Sequence, residues 1–329
     1  MHPLTYISLL SVPLFTFASP ISTAELAPLP LVIWHGLGDD YTRDGLKEIA
    51  TLAENTNPGT YVHLIHIGDS SYSDRQATFL GNVNEQVSTV CAQLAADPIL
   101  STAPAINAIG FSQGGQFLRG YVERCNNPPI RNLVTFGSQH NGIAEFQECG
   151  AADVICHGAE ALLNWGRWSS FVQSRFVPAQ YFRDPLDLDA YLDSSNFLAD
   201  VNNERAMKNA TYKENLSKLN RFAMFMFEDD TIVHPKETAW FAEVDAASGE
   251  ITPLKERAIY KEDWLGLKEL DERGALEFET LQGEHMQLDE EDMVKVFKEY
   301  FGPVEVDLDS SSLRDQSVVS VNQEVIGDL

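Results

Sequence analysis

The sequence has few basic residues. Its 329 residues include 23 lysines and arginines against 49 aspartates and glutamates, so the formal net charge is −26. No part of the chain holds the cluster of Lys and Arg that displaces counterions from phosphates, so we expect no nucleic-acid partner. Hydrophobic residues make up 44% of the chain, which excludes global disorder. The length allows one large α/β domain or two ordinary ones.

The sequence also lacks an apolar run long enough to cross a bilayer, so we expect no stable membrane span. Residues 1–24 contain no Asp, Glu, Lys or Arg, and the apolar stretch Leu4–Phe17 is interrupted by Pro13. Small residues follow it, which allows cleavage after Ala18 or Ala24. The pattern predicts a secretory signal peptide over residues 1–24, although the usual basic residues at its start are missing.

Cysteine is scarce, and the chain has only Cys91, Cys125, Cys149 and Cys156. None lies in a C-x-x-C pair, so we expect neither a zinc site nor thioredoxin-type chemistry. An even number of cysteines is consistent with an oxidising compartment. Cys149 and Cys156 are close enough to close a small loop, which would leave the other two to pair, but four cysteines permit three pairings.

Two further features concern secretion and the end of the chain. The tripeptides that begin at Asn209 and Asn215 are candidate glycosylation acceptors and agree with secretion. Residues 303–329 contain no aromatic side chain and include three consecutive serines at 310–312. This composition predicts a flexible acidic tail over 303–329.

Apolar runs alternate with helical patterns along most of the chain. Strands are predicted over Leu29–Trp34, Tyr61–Ile67, Ala105–Phe111, Asn132–Phe136, Phe222–Phe227 and Ala275–Leu281. Helices are predicted over Thr42–Asn55, Ala77–Leu94, Gln113–Arg124 and Lys236–Val244, and from Asp289 onward, with Met293, Val296, Phe297 and Tyr300 buried. The alternation predicts an α/β fold whose mostly parallel sheet carries helices on both faces.

Residues 138–220 break this alternation. They contain no strand of the Val/Ile-rich type, but they do contain several short helical patterns. We therefore predict a core formed by residues 25–137 and 221–302, with 138–220 as a mainly helical insertion before the next strand.

Gly110-Phe-Ser-Gln-Gly114 is the strongest chemical signal in the sequence. It matches G-x-S-x-G and lies between a predicted buried strand and a predicted helix, where a nucleophilic serine is placed on a tight turn. The glycines allow the chain to pass close to a strained Ser112. The turn leaves the first helical N–H groups free, so Gln113 N–H is a candidate oxyanion donor. The alternative is a Gly/Ser-rich turn without chemistry.

Serine needs a base, and the expected order along the chain is serine, acid, histidine. Only His234 and His285 follow the predicted strand Phe222–Phe227. His285 follows the last predicted strand, at the sheet edge where the serine turn also lies, so we predict it as the base and His234 as a surface residue. The acid should follow Phe222–Phe227. Asp230 is favoured because an Ile-Val pair can anchor the chain after it, and Asp229 is the alternative.

The second oxyanion donor should come from His35-Gly-Leu-Gly38, the loop after the first strand. Its glycines let the backbone approach the serine, and the Leu37 N–H is the candidate donor. His35 itself is either a second base or, as we prefer, a residue that orders the loop through backbone hydrogen bonds.

Three segments together resemble the palmitoyl-protein thioesterase family: Ile33–Asp39, Gly110–Arg119 and Gly283–Leu288. The resemblance extends through most of residues 29–302, and the long serine motif is far more specific than G-x-S-x-G. It implies an α/β-hydrolase fold and an enzyme of the lysosome or vacuole, or a secreted one. Such an enzyme removes long-chain fatty acyl groups, such as palmitoyl, from cysteine thioesters of proteins. We expect it to need no cofactor and no metal.

Residue by residue, the resemblance implies a catalytic triad of Ser112, Asp230 and His285, which makes Asp229 less favoured. It also implies that the insertion 138–220 is an acyl-binding second domain or lid.

The same resemblance implies the two disulfides Cys91–Cys125 and Cys149–Cys156. Animal members carry an adjacent cysteine pair just after the first glycine loop, where this chain has Asp40 and Tyr41. That further disulfide is therefore absent, which bears on loop rigidity rather than on chemistry.

The expected reaction proceeds through an acyl-serine intermediate. A thiolate leaves with little help from an acid, so the triad alone does not distinguish thioesters from oxygen esters. The enzyme alternative is a secreted lipase or carboxylesterase, and the non-enzyme alternative is a hydrolase-fold binding protein with an inactive site. An apolar groove would favour long acyl chains, and its candidate residues in the insertion are Leu162, Leu163, Trp165, Trp168, Phe171 and Val172. These residues can equally pack the insertion's own core.

The expected partners are S-acylated proteins or peptides and other acyl thioesters, bound by a monomer. In an acidic compartment much of the net charge of −26 would be neutralised as carboxylates approach their pKa values, which reduces self-repulsion. We therefore expect adaptation to mildly acidic pH.

Overall fold

The elements of the fold come from a computed structural model that describes residues 25–146, 154–245 and 247–306. Its strands are β1 (Glu25–Ala27), β2 (Leu31–Trp34), β3 (Val62–Leu64), β4 (Ile106–Phe111), β5 (Ile130–Phe136), β6 (Arg221–Phe227), β7 (Glu243–Val244), β8 (Ile251–Thr252), β9 (Leu276–Leu281) and β10 (Val304–Val306). Its α-helices are α1 (Asp44–Thr56), α2 (Ser71–Phe79), α3 (Val83–Ala96), α4 (Gln113–Arg124), α5 (Val154–Gly166), α6 (Ser170–Gln173), α7 (Val177–Gln180), α8 (Leu188–Ser194), α9 (Leu198–Val201), α10 (Ala210–Leu216), α11 (Ala258–Lys261), α12 (Leu267–Glu272) and α13 (Glu290–Phe301). Short 3₁₀ helices span Leu100–Thr102, Lys236–Trp240 and Leu254–Glu256.

Six strands form one sheet in the order β3-β2-β4-β5-β6-β9, and every pairing within it is parallel. The predicted parallel sheet is thus confirmed. Parallel strands end at the same edge, so the loops after β4, β6 and β9 all leave the sheet on one side. This sheet belongs to a unit that spans Ala27–Val304. Strands β1 and β10 pair with each other, and β7 pairs with β8.

Side chains of the strands alternate between two apolar layers. Ile33 of β2 lies in the layer that contains Leu46 of α1 and Phe297 of α13. Its neighbour Val32 lies in the other layer, with Val87 of α3 and the apolar side chains of α4. All of these are nearly inaccessible to solvent, and burial of such a side chain contributes about 1.5–3 kcal/mol. The helices therefore cover both faces of the sheet, as predicted.

The helix predicted over Ala77–Leu94 is wrong in one respect, because the structure divides it into α2 and α3. Leu80 has an extended backbone and forms a bridge with Phe176. Gly81 has a φ of +134°, which is incompatible with a helix. The apolar spacing continues through Leu80, but this side chain is 47% exposed and does not belong to the buried stripe of α3.

The helix predicted over Lys236–Val244 is also wrong. The structure has a 3₁₀ helix over Lys236–Trp240, followed by β7. Phe241 adopts a left-handed φ of +58°, which ends the helical turn. The last predicted helix is present as α13, with Asp289 as its N-cap. Its predicted buried residues are buried: Met293, Val296, Phe297 and Tyr300.

The stretch between β5 and β6 contains α5 to α10, and its described residues form no strand. The division into a core and an acyl-binding insertion stays a prediction. The predicted signal peptide over 1–24 lies outside the described residues, as do residues 307–329 of the predicted tail. No helix in the described ranges is long and apolar enough to span a membrane.

Candidate active site

The tight turn between β4 and α4 carries Ser112. Its backbone has φ +52° and ψ −125°, a strained combination for a residue other than glycine. A Cβ atom at Gly110 would lie 2.2 Å from the Cα of Gly115, and one at Gly114 would lie 2.3 Å from the carbonyl oxygen of Trp34. Both positions therefore require glycine, because the turn brings the strand and the helix into backbone contact.

His285 lies between Ser112 and Asp230, within hydrogen-bonding distance of both side chains. The Nε2 atom of His285 is 3.1 Å from Ser112 Oγ, and its Nδ1 atom is 2.7 Å from Asp230 Oδ2. A carboxylate only accepts, so the proton of the neutral ring is on Nδ1 and Nε2 accepts from the serine hydroxyl. The other oxygen of Asp230 accepts the N–H groups of Ile232 and Val233, each at 2.9 Å. Both carboxylate oxygens are therefore held in place.

The structure does not bring the two alternative residues to this site. Asp229 is exposed, and its backbone N–H donates to the carbonyl of Gly283. His234 has a side chain that is 54% exposed and lies 3.7 Å from Glu145. Of the residues weighed from the sequence, Asp230 and His285 are the ones positioned beside Ser112.

The backbone N–H groups of Leu37 and Gln113 are the candidate oxyanion donors beside Ser112. Gly36 passes so close that a Cβ atom there would lie 3.0 Å from Ser112 Cβ, which places Leu37 beside the turn. Neither Leu37 N–H nor Gln113 N–H has a hydrogen-bond partner among the described residues. Unpaired donors of this kind are what an oxyanion requires. The Gln113 side chain is buried, and its Oε1 accepts from the Tyr181 hydroxyl at 3.2 Å.

His35, which precedes the glycine loop, is buried and has both ring nitrogens occupied. Nε2 lies 2.8 Å from Asp74 Oδ2, and Nδ1 lies 3.2 Å from the carbonyl oxygen of Gly36. Burial lowers the pKa of His35, but the hydrogen bond and charge of Asp74 outweigh it, so the pKa is raised. His35 therefore orders the loop and is not free to act as a second base. Nothing in the sequence distinguishes Asp74 from the many other acidic residues.

A cleft of about 1670 Å³ opens at Ser112 and His285. Apolar side chains from several elements line it, among them Phe79, Phe111, Ile143, Phe146, Tyr181 and Ile232. The apolar part of the cleft can hold an acyl chain next to the serine.

This lining differs from the expected one, which comprised Leu162, Leu163, Trp165, Trp168, Phe171 and Val172. Leu163 and Val172 are buried in the core, and Trp168 packs edge-on against Phe182. Phe171 is 57% exposed and lies under the guanidinium of Arg175. None of these four lines the cleft, because their apolar faces are used in local packing or turned to solvent. The side chains of the other two lie outside the described residues.

Cys91 of α3 and Cys125, directly after α4, form a disulfide. Cys149 lies outside the described residues, as does the side chain of Cys156, so their bond stays a prediction. Within the ranges that the structure covers, no group of three or more His, Cys, Asp or Glu could hold a metal ion.

The two candidate glycosylation acceptors have different surroundings. Asn209 is exposed at the start of α10, where its side-chain oxygen accepts from Thr211 N–H. Asn215 is half-buried, and its Nδ2 donates to the carbonyl oxygen of Glu123 at 3.2 Å.

The chain is similar in sequence to known thioesterases. A family model described as palmitoyl protein thioesterase matches residues 30–285, a span that includes Ser112, Asp230 and His285. Palmitoyl-protein thioesterase 1 of Caenorhabditis elegans is 39% identical over 296 residues, which cover 88% of this chain and 98% of that protein. Palmitoyl-protein thioesterase 3 of Dictyostelium discoideum is 33% identical over 272 residues, covering 82% and 90%. Lysosomal thioesterase PPT2 of Homo sapiens is 26% identical over 281 residues, covering 80% and 83%.

Proposed function

Because the chain belongs to the palmitoyl-protein thioesterase family, we propose that Ser112, His285 and Asp230 perform its thioester hydrolysis through an acyl-serine intermediate. The protein is a thioesterase that acts on S-acylated proteins. The observation that supports the residue roles is the hydrogen-bonded series from Ser112 Oγ through His285 to Asp230, beside a cleft that is partly lined by apolar side chains.

In the first half-reaction, Ser112 Oγ attacks the thioester carbonyl carbon while His285 Nε2 takes the hydroxyl proton. Asp230 stabilises the imidazolium and does not take the proton itself. The carbonyl oxygen becomes an oxyanion, which accepts from the N–H groups of Leu37 and Gln113. When the tetrahedral intermediate collapses, the C–S bond breaks and the thiolate, whose conjugate acid has a pKa near ~8.5, departs. It takes up the proton held on His285 Nε2 and leaves as the thiol, which returns the imidazole to its neutral form.

In the second half-reaction, water replaces the thiol. His285 Nε2 accepts a proton from water, and the oxygen of that water attacks the acyl-serine carbonyl. Collapse of the second intermediate returns the proton to Ser112 and releases the fatty acid. The acyl chain occupies the apolar part of the cleft during both steps.

The test measures palmitoyl-thioester hydrolysis and its oxygen-ester analogue side by side. Ser112→Ala should abolish hydrolysis and covalent labelling by a fluorophosphonate. The control Ser88→Ala should not, because Ser88 is exposed on α3 and its hydroxyl only donates to Asn84 O. Rapid oxygen-ester turnover with an inert thioester would favour the lipase alternative. Absence of labelling in the wild-type protein would favour a binding protein with an inactive site.

The same proposal includes a location in the secretory pathway, in the lysosome or vacuole, and a monomeric state. The predicted signal peptide, the Cys91–Cys125 disulfide and the lysosomal relative support the location. Fractionation of cells that express the tagged full-length chain tests the location, and light scattering tests the oligomeric state. Recovery in the cytosol, or a dimer mass, would contradict these parts.

A further inference from the structure

One residue of helix α2, Thr78, contacts both of the segments that carry the proposed oxyanion donors. The Gly38 N–H donates to Thr78 Oγ1 at 2.9 Å, directly after Leu37 in the chain. The Gln113 Nε2 donates to the carbonyl oxygen of Thr78 at 3.4 Å. Thr78 itself is buried, and its hydroxyl proton goes to Arg75 O at 2.7 Å, which leaves a lone pair for Gly38.

Asp74, one turn earlier on α2, holds the ends of the same loop. Its Oδ2 accepts from His35 Nε2 at 2.8 Å and from Tyr41 N–H at 3.0 Å. Its Oδ1 accepts from the backbone N–H groups of Ile67 and Gly68, which fixes the carboxylate. The loop from His35 to Tyr41 is thus tied to α2 at its two ends and, through Gly38, at its middle.

This attachment matters near Leu37 because the backbone of the loop makes few hydrogen bonds of its own there. Further along, the buried Asp40 is held by the Ser71 hydroxyl of α2, which donates to its Oδ2 at 2.8 Å. Two of the loop's residues are glycines, and the one backbone bond within it that involves Gly36 is a long contact of 3.4 Å from Asp39 N–H. Leu37 lines the cleft and is partly exposed. An oxyanion donor is effective only if it already points at the developing charge, and displacement by about 1 Å can cost 10²-fold in rate.

We propose that Thr78 is a positioning residue that holds the Leu37 and Gln113 donors in register for the oxyanion, with Asp74 fixing the ends of the donor loop. The inference rests on the proposed function. It adds a residue that touches neither substrate nor reacting atoms, yet connects the two halves of the oxyanion site.

The experiment compares Thr78→Val with Thr89→Val in palmitoyl-thioester hydrolysis. Thr89 is an exposed threonine on α3 whose hydroxyl donates only to Glu85 O, so its replacement removes a similar within-helix bond and nothing else. Thr78→Val should lower kcat about tenfold or more, with KM changed by less than about twofold, because the lost contact acts on the transition state. Thr78→Ser keeps the acceptor and should restore kcat, and Thr89→Val should equal the wild type.

A second measurement separates positioning from general destabilisation. A long-chain alkyl trifluoromethyl ketone forms an anionic adduct with the serine, so its affinity should fall for Thr78→Val by about the factor lost from kcat/KM. Affinity for free palmitate and the urea midpoint should stay close to those of the wild type. If Thr78→Val does not fold, Asp74→Asn takes its place in the same assays.

Several results would overturn the inference. They are a kcat of Thr78→Val within about twofold of Thr89→Val, a reduced kcat with unchanged ketone affinity, or failure of Thr78→Ser to restore activity. Absence of thioester hydrolysis in both the wild type and Thr89→Val would instead refute the proposed function.

Discussion

Replacement of Glu123 by Gln should reduce the pH dependence of stability near neutrality. Glu123 is fully buried on α4, where Arg119 Nη1 donates to its Oε1 at 2.7 Å. Its Oε2 is buried without a hydrogen-bond partner among the described residues. Burial raises the pKa of Glu123 to about 7, against the opposing attraction of Arg119. The carboxyl group therefore takes up a proton in the folded state at a pH where the unfolded chain is ionised.

Linkage between protonation and folding determines whether Glu123 stabilises the fold at low pH or at high pH. A carboxyl group whose pKa is higher in the folded state stabilises the fold below its unfolded pKa of 4.5, and this contribution is lost as the pH rises through about 7. The difference of roughly 2.5 pKa units corresponds to about 3 kcal/mol at the acidic limit, of which about 2 kcal/mol is lost between pH 5 and pH 7.5. Glu123 therefore favours the fold in an acidic compartment.

Urea unfolding at pH 5, 6, 7 and 7.5 tests this value. Between pH 5 and pH 7.5, the free energy of unfolding of the wild type should fall by about 2 kcal/mol more than that of Glu123→Gln. This difference does not depend on the absolute stability of the variant. Glu256→Gln, at an exposed position that forms no ion pair among the described residues, is the control and should follow the wild type. Parallel pH profiles for the wild type and Glu123→Gln would refute the reasoning.

Three further outcomes are expected. Asp230→Asn should lower kcat by about 10⁴, because the imidazole loses its orienting acceptor, whereas Asp229→Asn should stay within about twofold; equal losses in the thioester assay would contradict this. Gly114→Ala should reduce the yield of folded protein, since its Cβ would lie 2.3 Å from a carbonyl oxygen of β2, and a normal urea midpoint would count against that contact. In a glycosylating host, Asn209→Gln should remove more glycan mass than Asn215→Gln, because the Asn215 amide is already bonded to backbone; mass spectrometry that finds the reverse would refute it.

The serine turn and its partners could be predicted from the sequence because their requirements are local or topological. Gly110 and Gly114 are needed because the turn brings the start of α4 into backbone contact with β4 and with the end of β2. The positions of Asp230 and His285 follow from parallel strands, whose carboxyl ends share one edge of the sheet. A few residues and the order of the elements were enough to place them.

The rest of the site depends on packing between distant segments. The apolar spacing around Leu80 is the same in a broken helix and a continuous one, and only the bridge to Phe176 and the backbone of Gly81 reveal the break. The same break separates α2 from α3, and α2 carries Thr78 and the contacts to the donor loop. Likewise, the apolar residues of the stretch between β5 and β6 gave no indication of which ones face the cleft.

The distribution of the proposed triad over the loops that follow β4, β6 and β9 has a consequence for biosynthesis. Ser112 and His285 are 173 positions apart, and His285 follows the strand at the end of the sheet order. With the roles proposed for Ser112, Asp230 and His285, a nascent chain that has folded only through β6 has its nucleophile turn and its acid but no base. We therefore expect acyl-thioester cleavage to begin only after β9 has docked. Because edge elements open more readily than central ones, detachment of β9 would also silence the enzyme before the central strands separate.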